Sequence, residues 1–153
     1  MLKIKEFFKT AVEMAKANQR VQFSFFTSTR KVEGYHVYSS DDVVFVKTGI
    51  RDQPCGIVTA DNLIFINTKA EKGDPELLSA LIAHEVGHIK LGHTAIVKKQ
   101  NFFVKKLGRR NLEWEIAADA YAVQKTSKAA VHKLLLALPP CKEVTKRINA
   151  LEC

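Results

Sequence analysis

The stretch DPELLSALIAHEVGHIKLGHT, Asp74 to Thr94, carries three of the five histidines of this 153-residue chain. Its beginning has the signals of a helix start. Asp74 is a good N-cap, Pro75 suits the first helical position, and Glu76 complements the positive end of the dipole. Leu77, Leu78, Leu81, Ile82 and Val86 then recur at helical spacing as a buried stripe, and Gly92 marks the end. Within this helix His84 and His88 stand four residues apart. At about 100° per residue they point roughly 40° apart, so both rings can reach one ion. Glu85 completes H-E-x-x-H, the zinc-hydrolase pattern in which the glutamate is the general base. An isolated match also fits a surface helix with incidental histidines. A capped helix with an apolar stripe weighs against that reading.

A catalytic zinc needs a third protein ligand and an open position for water. His93 lies five residues beyond His88, about 140° round a continuing helix, and reaches the site only if the chain turns sharply at Gly92. The glycine and third histidine of metzincins follow a different spacing from HIKLGH. The other candidate is Glu115, in NLEWEIAADAYAV. Glu115 and Asp119 are one turn apart on a helix expected over 112–125. The first can complete a His-His-Glu set, and the second can fix a ligand histidine's tautomer. Glu115 is therefore preferred to His93, with Glu113 as a fallback.

Outward from these helices the chain reads as α+β. An amphipathic N-terminal helix places Leu2, Ile4, Phe7, Phe8, Ala11, Val12 and Ala15 on or near one face. Strand-like segments follow at 21–26, in EGYHVYSS and DDVVFVKTG, and at 62–68, forming a small mixed or antiparallel sheet. IRDQPCG reads as a loop. A further helix spans about 128–138, stopped by Pro139 and Pro140. No repeat divides the chain, so 1–153 is read as a single domain.

Composition narrows the class. The apolar runs LLSALIA and LLLALPP fall far short of the roughly 20 residues that cross a bilayer, and the N-terminus has no apolar signal region. Cys55, Cys141 and Cys153 form no CxxC pair, which excludes a cysteine-based zinc ribbon and suggests reduced thiols in a cytoplasmic protein. With 24 basic against 16 acidic residues the net charge is +8. Much of the excess lies in KKQNFFVKKLGRR, Lys98 to Arg110. That segment is a candidate for an anionic partner, nucleic acid or membrane surface; its plainer reading is a solvated connector with Phe102, Phe103, Val104 and Leu107 turned inward.

HEVGHIKLGHT followed by EIAADAYA resembles the gluzincin metallopeptidases of the CAAX prenyl protease and HtpX type, and most of all their compact relatives, the minigluzincins. The resemblance runs from about residue 60 to 151. It implies a zincin-like fold with one zinc ion per chain, held by His84, His88 and Glu115, with Glu85 as catalytic base and Asp119 supporting a ligand. His93 matches a position often histidine but not a ligand. NLIFINT resembles the cleft-lining edge strand, so Leu63, Ile64, Phe65, Ile66 and Asn67 become candidate contacts for extended substrate. The tail LPPCKEVTKRINAL resembles the family's His-Pro-Pro…Arg-Ile-x-x-Leu ending. Leu138 stands where that tail often has histidine, and Arg147 falls three residues late, so the oxyanion helper is unassigned; His132 and Arg147 are the candidates. The membrane helices of the best-known members are absent.

The implied activity is zinc-dependent endopeptidase action on a protein or peptide substrate, by Glu85-assisted attack of a zinc-bound water. Two other classes stay open. One is a regulatory protease directed at nucleoprotein or a repressor, with Lys105, Lys106, Arg109 and Arg110 holding DNA. The other is a non-catalytic zinc-containing binding protein. A tail or Cys153 thiolate plugging the cleft would add latency.

Overall fold

A computed structural model describes residues 2–17, 19, 21–26, 31–39, 42–47, 53–99 and 111–153. Helix α1 (Leu2–Lys16) precedes strands β1 (Gln22–Phe26), β2 (Lys31–Ser39), β3 (Asp42–Lys47), β4 (Gly56–Val58) and β5 (Ile64–Asn67). Helices α2 (Thr68–Glu71), α3 (Pro75–Lys90), α4 (His93–Lys99), α5 (Leu112–Lys125), α6 (Lys128–Leu136) and α7 (Lys142–Glu152) follow. The strand order is β1-β2-β3-β5-β4. β1, β2 and β3 form an antiparallel meander, β5 joins β3 in parallel, and β4 closes antiparallel on β5. The architecture is α+β with a mixed sheet, as expected.

Strand alternation explains the two cores. On one face of the sheet, Val44 and Val46 of β3 and Ile64 and Ile66 of β5 meet Leu77, Ala80 and Leu81 of α3. On the other face, Phe45 and Phe65 meet Phe8, Ala11 and Ala15 of α1. The Phe8 ring contacts those of Phe23, Phe45 and Phe65 at 5.4–5.5 Å, edge to face. Each such pair adds about 0.5–1.5 kcal/mol beyond its buried area.

This layering corrects one expectation. Residues 64–67 are not an edge strand: β5 lies between β3 and β4 with ladders on both sides. Its run of apolar residues is the mark of a strand covered on both faces. Among the described residues the strand at this end of the sheet is β4, in a segment read as loop up to Gly56. Three residues were too short for a period-2 signal, and Ile57 is 56% exposed.

Asn67, expected among the substrate contacts, holds β4 in place. Its side-chain amide donates to the Gln53 carbonyl at 2.7 Å, and its Oδ1 accepts from the Cys55 backbone N–H at 3.0 Å. The same oxygen caps α2 by accepting from Ala70 N–H. At the other end of the hairpin, Asn62 takes the left-handed conformation (φ 62°), which asparagine tolerates, and accepts from Thr94 Oγ1 of α4 at 2.6 Å.

Asp74 caps α3 as expected, its carboxylate accepting from the N–H groups of Glu76 and Leu77. Asn111 caps α5 and Ser127 caps α6. The α6 helix stops at Leu136, two residues before the expected end. No helix among the described residues is long and apolar enough to cross a membrane.

Candidate metal centre

The site lies where α3 crosses α5. Gly87 of α3 makes the crossing close: a Cβ there would come within 3.3 Å of the Ala118 Cα and carbonyl oxygen and 3.2 Å from the Tyr121 ring. With the helix axes so near, His84 and His88, one turn apart, meet Glu115 from the facing helix.

His84, His88 and Glu115 each offer one ligand atom, and these atoms lie within 4.8 Å of one another. The two Nε2 atoms are 3.2 Å apart. His84 Nε2 lies 3.3 Å from Glu115 Oε2, and His88 Nε2 lies 3.5 Å from Glu115 Oε1. A tetrahedral zinc with bonds of about 2.0–2.1 Å sets its ligands about 3.3–3.4 Å apart. Two neutral imidazoles and a carboxylate are also a donor set zinc accepts. The donor types fit the ion that the motif implies, and the spacing is close to it, with the two histidines approaching different oxygens of Glu115.

Each of the three side chains is held from behind. His84 Nδ1 donates to Asp119 Oδ1 at 2.8 Å, leaving Nε2 to face His88 and Glu115. Asp119, 1% exposed, also accepts from Arg147, by Nε at 2.7 Å and Nη2 at 2.8 Å. Arg147 Nη1 lies 3.0 Å from Glu115 Oε2. One guanidinium from α7 therefore orders two carboxylates of α5, Glu115 and Asp119. The structure brings Arg147 to the site through these two acids, a role that sequence reasoning did not assign. His132 stands on α6 and makes none of the contacts that hold this cluster together.

His93 combines features of the sequence alternatives: the chain turns toward the site, but His93 is not among the three grouped side chains. The chain does turn sharply at Gly92 (φ 77°), a left-handed position suited to glycine, and α4 begins at once. His93 swings back toward the site, but its Nδ1 meets His88 Nδ1 at 2.9 Å, on the side of that ring away from His84. Its ring lies flat on the Trp114 indole, 4.7 Å between centroids and 5° between planes.

Electrostatics follow the wiring. Burial alone lowers the His84 pKa, but hydrogen bonds to Asp119 and Glu115 and the charges of Glu85 and Asp119 outweigh it, raising it to about 9. Burial and the neighbouring His84 push His88 down to about 4. Burial opposes ionisation of Glu115 and Asp119 as well. His84 and Arg147 prevail, and both carboxyls are held below their ordinary values.

Glu85 is buried beside the ligands and faces the edge strand. A Cβ built on Gly56 would come 2.9 Å from Glu85 Oε1 and 2.9 Å from Leu81 Cδ1. Glycine at the first position of β4 thus leaves room for the carboxylate. The end strand of the described sheet and the acid come together there.

No family model, curated protein or solved structure matches this chain. The case for a function therefore stands on the site's own geometry. The basic stretch 100–110, including Lys105, Lys106, Arg109 and Arg110, lies outside the described residues, and with it the expected anionic interface. Lys98, just before it, pairs with Asp61 at 2.9 Å between two exposed side chains, a contact worth little.

Proposed function

We propose that this chain is a zinc-dependent metallopeptidase of the gluzincin kind that hydrolyses peptide bonds in an extended substrate. The observation that carries the proposal is the proximity of His84, His88 and Glu115, with ligand atoms within 4.8 Å of one another, and a buried glutamate beside them facing a strand edge. Bound there, zinc supplies a Lewis acid that polarises the scissile carbonyl and acidifies water.

The chain's own residues do the rest. His84, His88 and Glu115 hold the ion, and Asp119 keeps His84 in the tautomer with a free Nε2. Glu85 takes the proton from the attacking water and returns it to the leaving amine. The outer edge of β4 from Gly56 to Val58, unpaired with any strand among the described residues, offers backbone groups to an extended peptide, which adds as a further strand and lies across Glu85. Arg147 keeps Glu115 and Asp119 ionised and oriented.

The test is peptide hydrolysis by zinc-loaded protein, assayed on denatured casein with products read by mass spectrometry, for wild type beside Glu85→Gln. Cleavage by the wild type, reduced roughly 10²–10⁴-fold in the variant with zinc retained, is expected. Equal cleavage by both would remove Glu85 from the role of base.

A further inference from the structure

We propose that His93 is the positioning residue for His88: it accepts the hydrogen on His88 Nδ1 and so fixes His88 as an Nε2 ligand. The inference rests on the metal-site reading above and adds a residue to it.

Only one hydrogen fits between the two Nδ1 atoms, 2.9 Å apart. If it sits on His93, neutral His88 carries its hydrogen on Nε2, the atom that faces His84 and Glu115, and cannot ligate. If it sits on His88, Nε2 has its lone pair free for a metal. The direction of this one hydrogen bond therefore decides whether His88 is a ligand, as the carboxylate of Asp119 decides it for His84.

His93 is built to hold that acceptor still. It is buried, and its ring is stacked flat on Trp114, the neighbour of the third ligand. Its backbone is set by the left-handed turn at Gly92, and the next residue, Thr94, is tied to Asn62. A ring that merely filled space would not need its nitrogen in register with His88. The two ligand histidines thus have different partners, an ionised carboxylate and a neutral imidazole.

Three variants separate the acceptor from the packing. His93→Phe keeps an aromatic ring over Trp114 and loses the acceptor. His93→Asn places an oxygen near the Nδ1 position, and His93→Leu is close to its shape without the oxygen. Zinc affinity is read by competition with a chromogenic chelator, and ligand geometry by the visible spectrum of the Co²⁺-loaded protein. Metal-free thermal unfolding checks that each variant is folded. Phe and Leu are expected to bind zinc about 10- to 100-fold more weakly with an altered Co²⁺ spectrum, whereas Asn stays near wild type. Wild-type affinity in Phe and Leu, or equal loss in Asn and Leu, would overturn the proposal while leaving the metal site intact. A wild type that takes up no zinc would overturn the metal site itself, and this inference with it.

Discussion

Gly87 and Ala118 set the separation of the two helices that form the site: a side chain at the first would lie 3.3 Å from the backbone of the second. Glu115 reaches His84 and His88 because those backbones approach so closely. A branched residue at position 87 has to push α5 away. Gly87→Val should cost about 1–3 kcal/mol by overpacking. It should also weaken zinc binding at least roughly tenfold, because the third ligand moves off its place. Chelator competition with zinc reads this directly, and unchanged affinity would mean that the crossing does not position Glu115.

Gly56 plays the matching part for Glu85, the proposed base. Alanine there brings a methyl group to 2.9 Å from Glu85 Oε1 and Leu81 Cδ1, so the carboxylate has to shift. Turnover of Gly56→Ala should fall roughly 10- to 100-fold, since small displacements of a catalytic group are costly. Zinc content should not change, because none of the three ligands is among the atoms this methyl would crowd. Loss of zinc together with activity would point to a wider rearrangement.

Arg147 is 3% exposed and neutralises two carboxylates, the buried Asp119 and the half-buried Glu115. Removing it strands both. Arg147→Met should destabilise the metal-free protein by about 3–5 kcal/mol, lowering Tm on the order of 10 °C. Zinc should recover part of this loss, because a bound cation supplies positive charge beside Glu115. Calorimetry with and without zinc measures both effects. A variant as stable as wild type would show that Asp119 and Glu115 do not depend on the guanidinium.

The ring of His84 gives the metal-free protein a distinct pH dependence. Its pKa is about 9 in the folded chain against an ordinary 6.5, so folding favours the protonated ring. That stabilisation is complete below about pH 6.5 and is lost as pH rises toward about 9. His88 behaves in the opposite sense. Held down at about 4, it stabilises the fold above about pH 6.5, and the contribution is lost as pH falls toward 4. Metal-free Tm should therefore decline on the alkaline side of neutrality. The zinc-loaded protein should lack the His84 part of that decline, because His84 then carries metal in place of the proton. Thermal scans from about pH 6 to about pH 10 compare the two forms, and parallel curves would contradict the assignment.

What the sequence disclosed follows from how far each signal reaches. The caps at Asp74 and the helices at 75–90 and 112–125 rest on local rules, and they stand where periodicity put them. The residues brought together at the centre were legible because helical spacing fixes His84 against His88 and Glu115 against Asp119. The edge strand was not. The apolar run of β5 looked like the stronger strand because it is covered on both faces, whereas the real edge is three residues with one exposed isoleucine. The part played by Arg147 was hidden for a different reason: it sits 28 residues beyond Asp119, and only the docking of α7 joins them. For His93 the turn at Gly92 could be foreseen as a possibility, but which of its neighbours' nitrogen atoms it would meet depends on tertiary packing. Gly87 carried a usable signal, a glycine inside a helical stripe opposite the small residues of AADA.

The most direct test of the central claim is the metal content of purified protein, by elemental analysis, for wild type beside Glu115→Ala. The predicted result is one zinc per chain in the wild type and little in the variant. A wild type without zinc after reconstitution, or a variant that keeps it, would contradict a centre built from His84, His88 and Glu115.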